Sequence, residues 1–111
     1  VEILNQNKIN KLADEIGQDN VPVLLEIFLG ELAMYLDNLA NKPDSEQEEY
    51  LKEISHALKS SAASFGAEAL CACSMEIDAE AKSGTALNLE VEKARMVSLL
   101  EQTQQRYQQL V

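Results

Sequence analysis

The chain has 111 residues, a formal net charge of −10, one histidine, two cysteines, four glycines and two prolines. That length supports one hydrophobic core, with residues 1–111 as a single domain, and excludes a kinase domain or a two-domain enzyme. The charge repels phosphate backbones and anionic lipid, which argues against nucleic acid and membrane as partners.

No apolar run approaches the roughly 18 residues of a membrane span, and the N-terminus shows no secretory-signal pattern. Leu, Ala, Glu, Gln and Lys dominate, so an all-α fold is expected. Cys71 and Cys73 are two residues apart. On a helix that is about 200° of rotation, so they cannot bridge, and with one histidine they are too few for a zinc site. They read as small buried thiols, at home in a reducing cytoplasm.

In chain order, the spacing predicts a first helix over 5–16, with Ile9, Leu12, Ala13 and Ile16 on one face and Gly17 as its stop. The stretch "QDNVPVLLEIFLGELAMYLDNLANKPD" (18–44) is the second. Asp19 or Asn20 can cap it, Pro22 is tolerated in its first turn, and Pro43 ends it. Leu25, Phe28, Leu32, Leu36 and Leu39 share a face, which Leu24, Ile27 and Tyr35 widen, as in a helix buried on two sides.

The third helix starts near Asp44 or Ser45, with Ser45 and Glu48 at capping-box spacing, and stops at Gly66. Its stripe is Leu51, Ile54, Leu58 and Phe65, with Ser61 and Ala62 between. The fourth covers about 67–83, with Leu70, Cys73, Ile77 and Ala81 inward. The fifth begins near Thr85 or Asn88 and reaches the C-terminus. Its stripe of Leu89, Met96, Leu100, Thr103, Tyr107 and Leu110 is interrupted by Lys93, with Leu87, Val91 and Ala94 on the opposite side. The turns are short. The expected fold is therefore an antiparallel up-and-down four-helix bundle, with the short first helix packed at one end.

The one histidine, His56, lies on the third helix. At 100° per residue it sits about 180° from the mean direction of Ile54 and Leu58, facing solvent. Lys52, Lys59, Ser60 and Ala63 share its face. An exposed imidazole is nucleophilic near neutral pH, and a lysine one turn away supplies charge and donors to a phosphoryl group placed on it. Ser60, Ala63 and Ser64 are small, leaving room for another protein to close over the ring. The sequence has no phosphate-binding loop and no base and oxyanion set for hydrolysis. The chain can thus receive and pass on a phosphoryl group without kinase or phosphatase activity of its own. The plainer alternative is an interaction module whose surface histidine is incidental. A metal-binding bundle fails on ligand count.

The stretch "HALKSSAASFGA" (56–67) resembles the signature of histidine-containing phosphotransfer (HPt) domains, H-x-L-K-G and, after five intervening residues, a second G. The match falls on His56, Leu58, Lys59 and Gly66. As architecture the resemblance covers the whole chain. It implies that His56 is the phosphorylated residue, Lys59 the cation beside the phosphate and Gly66 structural, while Lys52 is added from helix geometry alone. Ser60 departs from the family's Gly but is nearly as small. The resemblance further implies a monomeric relay protein with no bound cofactor. A receiver-domain aspartyl phosphate of a hybrid sensor histidine kinase would load His56, and the receiver domain of a response regulator would take the group, with Mg²⁺ supplied by the receiver. The acidic single-domain form is similar to family members that serve quorum sensing.

Overall fold

In a computed structural model, which describes residues 2–84 and 86–111, the helices are α1 (Gln6–Ile16), α2 (Val21–Asn41), α3 (Asp44–Phe65), α4 (Glu68–Lys82) and α5 (Leu89–Gln108). A 3₁₀ turn over Gln18–Asn20 precedes α2. No β-strand occurs among the described residues, and no helix among them is long and apolar enough to cross a membrane.

Local chemistry sets most of the boundaries. Asn5 caps α1, its side-chain oxygen accepting the Asn7 N–H at 3.0 Å, and Gly17 ends it at φ 90°. Asp19 and Asn20 do not cap α2 as expected. Asn20 instead donates its amide to the Ile16 carbonyl at 2.7 Å, using its side chain to close the α1–α2 corner. The expected Ser45–Glu48 box does not form either. Helix α3 already begins at Asp44, flanked by Pro43, which places Ser45 inside the first turn where its hydroxyl cannot serve as a cap. Asp44 and Glu46 there complement the helix dipole. The buried Gln47 amide closes the α2–α3 turn by donating to the Leu39 and Lys42 carbonyls at 3.0 and 2.7 Å. Asn88 caps α5, accepting the Val91 N–H at 3.3 Å; the alternative start at Thr85 lies outside the described residues.

Helices α2 to α5 enclose the core, with α3 against α4, α2 against α5 and α4 against α5. Leu25, Phe28, Leu32, Leu39, Leu51, Leu58, Leu70, Ile77, Met96, Leu100 and Tyr107 fill it. At one end Phe28 stacks on Phe65 with centroids 4.6 Å apart, Tyr107 meets Phe28 edge-on at 5.4 Å, and the Tyr107 hydroxyl donates to the Phe65 carbonyl at 2.6 Å. Helix α1 docks at this end through buried Ile9. The Asn5 N–H donates to the Gly66 carbonyl at 2.8 Å, and the Ala69 N–H to the Glu2 carbonyl at 2.8 Å.

Two expectations of burial are corrected. Helix α2 is covered on one side only: Ile27 is 66% exposed, and Leu24 and Leu36 are half-buried. Its neighbours α1, α3 and α5 leave the face bearing Val23, Ile27 and Met34 open to solvent. On α4, Ala81 is only half-buried, and Ser74 and Asp78 take inward places beside Leu70, Cys73 and Ile77. The beginning of α5 has Leu87 and Leu89 packed on the core and Val91 in solvent.

Candidate functional site

The phase of α3 is set by Leu51, Ile54, Leu58 and Ala62, all buried. That phase turns His56 outward, and its side chain is 66% exposed. Helix α4 runs alongside and brings Asp78 against it. Asp78 Oδ1 lies 3.3 Å from His56 Nδ1. The other oxygen, Oδ2, takes Lys59 Nζ at 2.6 Å and Lys82 Nζ at 2.9 Å. Lys82 reaches it from one turn along the same helix, Lys59 from across the α3–α4 groove. The bonds from Lys59, then Lys82, hold the Asp78 carboxyl well below the usual carboxylate range, and Asp78 raises the Lys59 ammonium in return.

The structure thus gathers His56 and Lys59 with two residues that the sequence reading passed over, Asp78 and Lys82. The Asp78–Lys82 spacing signals an ion pair along α4, but the contact with His56 depends on how α4 registers against α3. Lys52 is not brought into this group. Its ammonium pairs along its own helix with Glu49 at 3.5 Å and Glu48 at 3.8 Å.

Ser60, Ala63 and Ser64 are exposed. The Ser64 hydroxyl donates to the Ser60 carbonyl at 3.0 Å, the usual way a serine is accommodated within a helix. Ala63 and Ser64 border a shallow depression completed by Lys8, Lys11, Leu12 and Glu15 of α1. Gly66 ends α3 in the left-handed region at φ 75°. A Cβ there would stand 2.8 Å from the Asn5 carbonyl oxygen and 2.8 Å from Lys8 Cβ. The glycine therefore serves both the turn and the close approach of the N-terminal segment.

Beyond the α3 edge, Glu31 of α2 accepts the Ser61 hydroxyl at 3.3 Å and the Tyr35 hydroxyl at 2.6 Å. Burial, then Glu31, pushes the Tyr35 phenol up. One step outward on α2, Val23, Ile27 and Met34 are 57%, 66% and 52% exposed, with Gly30 completing the row at helical spacing. Cys71 and Cys73 are free thiols, as their diverging directions require. Burial raises both, Cys73 to about 11. Among the described residues no three His, Cys, Asp or Glu side chains are grouped to hold a metal ion.

The chemistry available is that of a solvent-facing ring nitrogen beside a carboxylate and two ammonium groups. A family model described as "Hpt domain" matches residues 23–110. A curated relative, the "Phosphorelay protein LuxU" of Vibrio vulnificus (strain YJ016), is 58% identical over 107 residues, covering 96% of this chain and 93% of that protein. The protein of the same name from Vibrio cholerae serotype O1 is 54% identical over 110 residues, covering 99% and 97%. That of Vibrio harveyi is 53% identical over 106 residues, covering 96% and 93%. No solved structure matches the chain. With the family model spanning most of its length and these relatives sharing more than half of its residues, the chain belongs to the Hpt family.

Proposed function

We propose that this chain is the histidine phosphotransfer protein of a multistep phosphorelay, accepting a phosphoryl group on His56 and handing it on. The observation that carries this reading is the outward imidazole, 66% exposed on a helix face of small side chains. The ring is open to an incoming acyl phosphate. The names of the relatives, phosphorelay proteins, support the same role.

In finer terms, a receiver domain of a hybrid sensor histidine kinase loads His56, and the receiver domain of a response regulator unloads it, in a relay that serves quorum sensing. The receiver brings the Mg²⁺ and the in-line geometry. Both partners meet one docking face, because a single imidazole serves both aspartates. That face joins Ser60, Ala63 and Ser64 of α3 to the exposed row Val23, Ile27 and Met34 of α2, whose apolar surface suits a partner interface. Lys59 turns from Asp78 to the phosphoryl oxygens once they are in place. The carrier works as a cytoplasmic monomer.

The test is transfer from a phosphorylated receiver domain to the purified chain, read as acid-labile phosphate. Wild type becomes labelled. His56→Gln keeps its far-ultraviolet circular dichroism and takes up none; a labelled variant refutes the assignment. Lys59→Ala folds and accepts phosphate more slowly, and an unchanged rate removes its role. Receiver binding without any labelling of wild type is the outcome for an interaction module with an incidental histidine.

A further inference from the structure

We infer that Gly30 is the floor of a hole on α2 that receives an apolar side chain of the receiver domain, and so sets how closely the partner seats beside His56. The inference rests on the phosphocarrier reading and names one contact within it. Gly30 lies in the interior of α2 (Val21–Asn41), where glycine is the poorest helix former after proline. The fold around it does not call for a glycine. Positive φ is confined to Gly17, Gly66 and Gly84 among the described glycines. A Cβ built on Gly30 would meet no described residue within 4 Å, its chain neighbours and its own helix backbone aside. Alanine would fit there and would favour the helix. A residue that weakens its own helix without serving the packing of the chain points to a contact outside it.

Ile27, Gly30, Glu31 and Met34 stand at i, i+3, i+4 and i+7, the four corners of a hole into which a packed neighbour inserts one side chain. Ile27 and Met34, 66% and 52% exposed, give it apolar walls. The Glu31 carboxylate is drawn aside toward α3 by the Tyr35 and Ser61 hydroxyls at 2.6 and 3.3 Å. The floor is bare backbone. An apolar knob such as leucine, isoleucine, methionine or phenylalanine fits this hole. Its position identifies the occupant. Ser61, bonded to the residue next to Gly30, is about 7.5 Å along α3 from His56, and packed helix axes lie about 8–10 Å apart. An interface of ordinary size covers about 800 Å² of each protein, a patch roughly 16 Å in radius. A receiver domain that seats its aspartate on His56 therefore also covers Gly30. A methyl group at position 30 would lift the knob and draw the acyl phosphate away from the ring, a displacement that group transfer tolerates poorly.

The test compares wild type, Gly30→Ala and Gly30→Leu, with Ala33→Leu as a control at an exposed position of the same helix about 90° off the row. Each full chain is titrated with the receiver domain that loads wild type, and its labelling by that receiver is timed. Labelling by phosphoramidate, a donor too small to reach α2, is timed alongside, and urea unfolding gives the stability. Gly30→Ala unfolds at higher urea, its folding equilibrium constant raised about fourfold, yet it binds the receiver more weakly and is labelled by it more slowly. Gly30→Leu binds about tenfold or more weakly, as overfilling a packed hole requires. Both react with phosphoramidate as wild type does, and Ala33→Leu binds and transfers as wild type does. Wild-type binding and labelling in both Gly30 variants overturns the inference. So does a Gly30→Ala protein less stable than wild type, because the glycine then serves its own helix. A loss of phosphoramidate labelling overturns it as well, because the effect then lies at the ring. A wild-type protein that no receiver labels refutes the proposed function, and this contact with it.

Discussion

Replacing Gly66 with alanine puts a methyl group into two conflicts at once. The residue sits at φ 75°, where an L side chain costs about 1–2 kcal/mol. The new Cβ also meets the Asn5 carbonyl oxygen and Lys8 Cβ at 2.8 Å each, so the N-terminal segment must retreat. Retreat stretches the bond from the Asn5 N–H to the Gly66 carbonyl, worth about 1 kcal/mol. It also uncovers part of Ile9, whose full burial is worth about 1.5–3 kcal/mol. The expected loss is about 3–5 kcal/mol, a large share of the 5–15 kcal/mol typical of a small domain. Gly84 supplies the control, because its φ is 77° and no other described residue outside its chain neighbours lies within 4 Å of its Cβ position. Gly84→Ala carries the backbone cost alone, about 1–2 kcal/mol. Urea unfolding followed at 222 nm compares the two variants, and amide hydrogen exchange shows whether α1 loses protection in Gly66→Ala. Equal losses of stability, with α1 protected as before, would refute the argument that this glycine exists to seat the N-terminal segment.

Ile27→Asp places a charge in the middle of the exposed α2 row. It should leave the unfolding midpoint nearly unchanged and weaken receiver binding about tenfold or more, measured by titration calorimetry, since central apolar anchors carry much of an interface's affinity. Thiol labelling should separate the two cysteines. Cys71 is part-exposed and reacts slowly in the folded protein. Cys73, fully buried and pushed to about 11, reacts only after unfolding. Equal labelling of the native protein would contradict the packing of α4.

The outward direction of His56 was legible because it depends on one helix alone: Ile54 and Leu58 fix the phase, and the angle follows. The stops at Gly17 and Gly66 are equally local, set by backbone conformations that favour glycine. What was not legible depends on a second element. Asp78 is separated from His56 by 22 positions, and their meeting is decided by the register of α4 on α3. Ile27 fits a broad apolar stripe as well as Tyr35 does, and only the placement of α3 and α5 shows that Tyr35 is covered and Ile27 is not. The Ser45–Glu48 spacing was a true local signal overridden by an earlier helix start at Asp44, next to a turn that Gln47 closes with its amide. The second function of Gly66 was invisible for the same reason, since the atoms it must avoid belong to a segment some sixty residues earlier.

The arrangement of basic residues has a consequence for encounter. A molecule of net charge −10 should push away a phosphorylated, anionic partner. Yet Lys59 and Lys82 stand beside the imidazole, and Lys8 and Lys11 border the depression next to Ala63 and Ser64. Set against Asp78 and Glu15, these four ammonium groups still leave excess positive charge around the histidine side, so an anionic group meets less repulsion there than the total charge implies. Approach over that side is thereby the least opposed, and the bias belongs to how the charges are distributed rather than to their sum.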